Sequence, residues 1–144
     1  MTGVQTCALP ILVHEVTPAG NGPLHFTGPL EGDVAKGRQL AFDRTRGGSC
    51  VACHVLGKDT PPQPGNVGPD LSTVGATRTD EWLFNYVYDP RTYNRNSIMP
   101  PWGAHRVFNV AEIRDIVAFL KSLREAVQFK DAQENPNKIG RAHV

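Results

Sequence analysis

Hydrophobic positions recur with a helical period in three stretches of this chain, and proline and glycine punctuate the sequence between them. The last stretch is the clearest. Ile113, Ile116, Val117, Leu120 and Leu123 share one face at i, i+3, i+4, i+7 spacing, with Phe119 beside it. Ahead of them, Asn109-Val110-Ala111-Glu112 has the form of a capping box with Asn109 as the cap. The pattern predicts a helix running to about Leu123 or Arg124. In the middle of the chain, Thr79 followed by Asp80 and Glu81 opens a helix whose Trp82, Leu83, Tyr86 and Val87 repeat at helical spacing until Asp89-Pro90 stops it. The plain reading of that aromatic stripe is core packing. A first helix is predicted from Asp33 to about Arg44, where Glu31 and Asp33 place acidic side chains at the positive end of the helix dipole. Its apolar positions are Val34, Leu40 and Ala41. Gly37 lies inside it, and an interior glycine costs about 1 kcal/mol against alanine. Its presence therefore predicts another helix crossing at close range, and the stripe of the last helix is the natural partner.

The remaining segments carry turn chemistry. From Leu12 to Gly32 no period is sustained, which predicts an extended or mobile arm. Gly57 to Asp70 holds prolines 61, 62, 64 and 69 and glycines 65 and 68, and reads as an ordered loop. Beyond Ala126 the chain turns polar. With 14 glycines and 12 prolines among 144 residues much of the chain must be loop, so a core built from side chains alone is limited. No apolar run approaches the roughly 20 residues that span a bilayer, and no membrane span is expected.

The two termini match each other at the level of the genetic code. Thr6-Cys7-Ala8-Leu9-Pro10-Ile11 can be encoded so that the reverse complement, read one base out of frame, gives Ile139-Gly140-Arg141-Ala142-His143-Val144. The shared oligonucleotide resembles a common sequencing-library adapter, so residues 1–11 and 139–144 are expected to be adapter-derived rather than native. The expected division is then a non-native 1–11, an arm over 12–32, a domain over 33–126, a polar tail over 127–138 and a non-native 139–144. On this reading Cys7 and His143 carry no biology, and a missing signal peptide says nothing about compartment. Setting Arg141 aside leaves 14 basic against 14 acidic residues, a balance that does not suggest nucleic acid.

Chemistry enters at Cys50-Val51-Ala52-Cys53-His54. Cys-x-x-Cys-His is the attachment signature of a c-type haem: two thiols one turn apart add across the vinyl groups, and the histidine becomes the proximal iron ligand. The competing readings make demands the chain does not meet. A zinc half-site wants a second Cys or His pair at short spacing, and the only other thiol is Cys7. A dithiol redox pair wants a βαβ surround, whereas the flanks here are helical and glycine-rich. A haem would also supply the large rigid apolar body that so loop-rich a chain lacks.

The opposite face of the iron then needs a ligand. Met1 apart, the only methionine is Met99, within Ile98-Met99-Pro100-Pro101-Trp102-Gly103, where two prolines stiffen the segment. A thioether there favours reduced iron and a high potential. Ordinary core packing is the other reading for a methionine. His105 is the competing ligand, with His25 and His14 in the arm weaker candidates. For the proximal imidazole, the carbonyl of Pro69 in Val67-Gly68-Pro69-Asp70-Leu71 is the candidate acceptor of the second ring nitrogen. Gly-Pro is also a common turn pair.

The haem motif, the Gly-Pro-x-Leu loop and the Met-Pro loop, set between a glycine-bearing first helix and an amphipathic last one, resemble the class I cytochrome c fold over most of residues 33–124. That implies an all-α domain of three to five short helices around one covalent haem c, with a long N-terminal arm. A narrower resemblance is carried by Gly37-Arg38-Gln39-Leu40-Ala41-Phe42-Asp43, Gly65-Asn66-Val67-Gly68-Pro69, Tyr88-Asp89-Pro90-Arg91 and Ile98 to Gly103. Together these are similar to the SoxX family, the monohaem subunits of SoxAX cytochromes of bacterial thiosulfate oxidation. The resemblance implies a periplasmic heterodimer with a dihaem or monohaem SoxA-like subunit. That partner couples thiosulfate oxidatively to a cysteine of the carrier SoxYZ, as in an L-cysteine S-thiosulfotransferase, and a small soluble cytochrome c takes the electrons. With Cys50 and Cys53 used as thioethers, no substrate chemistry is expected on this chain itself. A free-standing electron carrier is the alternative, and an O₂- or CO-binding sensor would need an open sixth position.

Overall fold

The computed structural model describes residues 13–14, 22–26, 30–46 and 49–127; the expected adapter-derived ends, and the tail beyond Val127, lie outside the described residues. Four α-helices follow in order: α1 Val34–Phe42, α2 Val74–Thr77, α3 Asp80–Tyr88 and α4 Val110–Ser122. Short 3₁₀ turns sit at Cys50–Ala52, Gly57–Asp59 and Pro90–Thr92.

Each predicted helix forms, with boundaries set by local side chains. Asp33 caps α1 by accepting from the backbone N–H of Lys36 at 3.0 Å. The helix stops at Phe42, short of the expected Arg44, because the Asp43 carboxylate turns to accept from the backbone N–H and hydroxyl of Thr45 at 2.8 and 2.7 Å. These bonds, the side-chain one foremost, lower the Asp43 pKa. Thr79 caps α3, and the extended Asp89 before Pro90 ends it. In α4 the predicted capping box closes in both directions: Glu112 N–H donates to the Asn109 side chain, and Asn109 N–H to the Glu112 carboxylate, both at 2.9 Å. That helix ends at Ser122 with Leu123 as its cap.

The crossing inferred from Gly37 is present. A Cβ there would run into the backbone carbonyl of Asp115 in α4, so only glycine lets the two backbones approach this closely. Ala41, one turn on, is wholly buried at the same crossing, while Val34 is 46% exposed and stands outside the core, contrary to expectation. By spacing Val34 lies on the Gly37–Ala41 face, three and seven residues before them, but as the first residue of α1 it sits at the helix end and leaves most of its side chain in solvent. Ile113, Ile116, Val117, Phe119 and Leu120 of α4 are buried with Leu83, Phe84 and Val87 of α3. The aromatic stripe of α3 divides: Trp82 and Tyr86 stack on one another at 4.7 Å and on Tyr93 at 5.6 and 6.0 Å, half-exposed, with the Arg78 guanidinium 4.4 Å over the Trp82 ring. Helix α2 was not foreseen. Four residues show no period, and the segment is held by tertiary contact: Gly75 abuts the Leu120–Lys121 backbone and its N–H donates to the Leu123 carbonyl at 2.8 Å.

The described part of the arm is docked rather than mobile. Strands β1 Val13–His14 and β2 His25–Phe26 pair antiparallel. Leu24 and Leu30 are 5% and 8% exposed. The buried Asn85 side chain of α3 accepts from the Leu24 N–H at 2.5 Å and donates to the Leu24 carbonyl at 2.8 Å, so one amide imitates a strand partner. Phe26 packs edge-on against Phe84 at 4.6 Å. Among the described residues no helix is long and apolar enough to cross a membrane.

Candidate haem site

Cys50, Val51 and Ala52 form a single 3₁₀ turn, with the N–H groups of Cys53 and His54 both donating to the Cys50 carbonyl, at 3.1 and 2.9 Å. Buried Val51 anchors the turn in the core. The proline-rich loop that follows is stitched back along the motif by backbone bonds from Gly65 N–H to the Val51 carbonyl at 3.2 Å, Gly68 to Cys53 at 2.8 Å and Leu71 to Val55 at 2.9 Å. That ladder brings the Pro69 carbonyl to His54, whose Nδ1 donates to it at 2.7 Å. A carbonyl only accepts, so the proton sits on Nδ1 and Nε2 keeps its lone pair for a metal. Gly68 lies flat against the imidazole, and a Cβ there would overlap the ring.

The donor set fits a covalent haem better than the competing chemistries. Cys50 and Cys53 are unpaired thiols one turn apart. Burial pushes the Cys50 thiol up to about 11, the reverse of the lowered value that marks a reactive dithiol. Among the described residues no three His, Cys, Asp or Glu side chains converge as a metal site. Two thiols with their imidazole are instead arranged for attachment and one axial bond, and a thioether stands on a separate loop.

Met99 is half-buried and packs against the core. Its N–H donates to the Ser97 hydroxyl at 3.3 Å, and Ser97 N–H donates to the Asn94 carbonyl at 2.9 Å. Further on, the Tyr88 carbonyl at the end of α3 accepts from both Gly103 and Ala104, each at 3.0 Å. A side chain at Gly103 would run into the Tyr88 ring. Arg106 takes a left-handed conformation, φ 59°, and the chain turns toward α4 through buried Phe108. His105 is exposed on the outside of this turn, its N–H donating to the Pro101 carbonyl at 2.9 Å. The Asp89 carboxyl is held below its usual range, first by the hydrogen bond from Arg91 and least by the charge of His105. His25 is exposed and pairs with Glu81 at 3.0 Å. The His14 side chain lies outside the described residues.

Three contributors escaped the sequence reading. Gly68 carries a steric role against His54 that a Gly-Pro pair only hints at. Asn85 is an unremarked polar residue on an apolar helix, and that misfit is the signal that could have found it. Arg46 had no signal separating it from neighbouring Arg44, yet its guanidinium reaches Glu112, the Val107 carbonyl and the Phe108 ring.

The model of the cytochrome c family matches residues 34–124. An uncharacterized lipoprotein of Aquifex aeolicus (strain VF5) is 31% identical over an alignment of 106 residues that covers 65% of this chain and 51% of that protein. The chain thus spans about half the length of this curated relative. A chain in the crystal structure of SoxXA from P. pantotrophus is similar at a TM-score of 0.59 and 25% identity, over 73% of this chain and 92% of that one.

Proposed function

The chain belongs to the cytochrome c family, and on that footing we propose that it is the electron-transfer subunit of a SoxAX-type complex. It carries one haem c on Cys50 and Cys53, with His54 and Met99 as axial ligands. The observation that carries the electron-transfer reading is the imidazole of His54, directly after the two thiols in sequence and locked by the Pro69 carbonyl on Nδ1, which leaves the Nε2 lone pair for iron. Bound haem supplies a one-electron iron couple. The protein's part is to hold that iron rigidly and to keep small molecules from it: the Pro69 bond fixes the ring and makes it a better donor. A thioether from Met99 would close the sixth position and raise the potential. His105, exposed on the outer turn, is poorly placed to compete.

The likeness to a chain of SoxXA supports a SoxA-like partner. The surface supports it too. Val67 and Ile98, 62% and 80% exposed, each adjoin a segment of the site. Residues 60–69 and 96–104, the central stretches of the two loops around it, contain no charged side chain, and charges stand at their edges at Lys58, Asp59, Asp70, Arg95 and Arg106. An uncharged centre with a charged edge suits a lasting interface, whose core is depleted of charge while its rim is polar. In this reading the complex works in the periplasm, the partner couples thiosulfate to a SoxYZ cysteine, and this chain passes the released electrons singly to a small soluble cytochrome c.

Two measurements test it. The ferric protein should show the sulfur-to-iron charge-transfer band, lost in Met99→Ala, and the ferrous protein should bind CO slowly; a parent without the band, or with fast CO binding, removes Met99 from the iron. Co-expression with a SoxA-like chain should yield a one-to-one complex that survives high salt. A chain that exchanges electrons yet never associates is a free-standing carrier.

A further inference from the structure

The segment leading into the haem motif is tied to the far end of the Met99 loop by one side chain. Arg46 lies four residues before Cys50. Its Nη1 donates to one Glu112 carboxylate oxygen at 2.5 Å and its Nη2 to the other at 3.2 Å, and Nη2 also reaches the Val107 carbonyl. The guanidinium lies 4.8 Å over the Phe108 ring. Phe108 in turn packs on Trp102 at 5.5 Å, and the Trp102 carbonyl accepts from the N–H groups of Val107 and Phe108 at 2.9 and 3.1 Å. Trp102 follows Met99-Pro100-Pro101 directly, and two prolines pass its position on to Met99 with little slack. Glu112 is committed as well, since its carboxylate completes the cap of α4. The contact is half-sheltered, with side-chain exposures of 35% for Arg46 and 25% for Glu112, so the pair is screened less than an open surface pair.

We propose that Arg46 is a positioning residue for the sixth iron ligand: its fork onto Glu112, Val107 and Phe108 fixes the loop carrying Met99 to the segment that precedes the haem-attachment turn. The inference rests on the reading of Met99 as an axial ligand. Planar, multidentate contact is what arginine offers here and lysine does not, because an ammonium cannot span two carboxylate oxygens and a carbonyl in one plane. Local strength at this point matters because the Met99 N–H bonds only to Ser97, and the next carbonyls, of Pro100 and Pro101, are tied within the loop itself to Trp102 and His105.

The test uses the holoprotein and reads the ligand bond beside the helical fold, because a general loss of stability would lower both whereas a lost anchor weakens the bond alone. In Arg46→Ala the charge-transfer band of the ferric protein should fall to half its amplitude or less at neutral pH and low temperature. CO binding to the ferrous form should quicken at least tenfold, with the helical circular dichroism unchanged. Arg46→Lys should recover only part of the band. Glu112→Gln, which can still cap α4 but offers Arg46 no charge, should fall between the two and guards against a misfolded alanine variant. A parent that shows the band while Arg46→Ala and Glu112→Gln keep it in full, with unaltered CO kinetics, overturns the positioning role. A parent without the band overturns the Met99 reading, and this inference with it.

Discussion

The two sides of the haem site are built differently. On the His54 side, three backbone bonds and one ring-to-carbonyl bond bind the motif to its loop within about twenty residues of chain, and Gly68 is packed so closely that nothing larger fits. On the Met99 side, the residue's own backbone makes one 3.3 Å bond to a hydroxyl. The firm anchors come later, at Tyr88 with Gly103 and Ala104, and at Arg46 with Glu112, Val107 and Phe108. The His54 side is rigid at the imidazole itself, and the Met99 side is rigid beyond Met99. On the proposed ligation Met99 is held through stiff neighbours, so its bond is the one to yield first when those anchors loosen.

The contrast can be broken most completely at the thiols. Replacing Cys50 and Cys53 together by serine should abolish covalent haem, read as loss of the Soret band from denatured material, while no change in the Met99 loop should do so. Met99→Ala should keep the haem attached but lower the potential by on the order of 0.1 V, a fraction of the ~0.8 V that axial ligation spans, as potentiometry would show. Neighbouring substitutions should then separate side chain from backbone on the proximal side. Gly68→Ala forces a Cβ into the imidazole and should cost about 1–3 kcal/mol in denaturant unfolding. Pro69→Ala keeps the accepting carbonyl and should cost no more than about 1 kcal/mol, from the freer unfolded chain.

Mild acid sharpens the comparison with the smallest effect. The Glu112 carboxyl is held below its ordinary 4.5, foremost by the hydrogen bond from Arg46. A carboxyl whose pKa is depressed in the folded state lends stability above its unfolded value and loses it as pH falls through the folded one. Titration downward from 4.5 should therefore erode the charge-transfer band while the covalent haem and its proximal bond persist.

Local signals were legible where one residue type answers to one physical demand. The capping box at Asn109, the stop at Asp89-Pro90 and the close crossing at Gly37 each follow from chemistry within a few residues, and the Pro69 carbonyl sits where the spacing put it. What sequence alone did not reveal depends on distant partners. Helix α2 exists because α4 receives Gly75, and the arm lies down because Asn85 reaches it across 61 positions. Val34 had the right character and the right face for a core residue but stands at the very start of α1, where it stays 46% exposed. Arg46 looked like any solvated arginine, since its meaning is set by Glu112, 66 residues on.

Asn85 has a consequence for how the chain reaches its final form. The peptide group of Leu24 is received by a helix side chain, not by a neighbouring strand, so it has no counterpart until α3 is wound and seated. Slow deuterium uptake at that single amide would thus act as a late milestone, reporting that assembly is finished and not merely that helices have appeared.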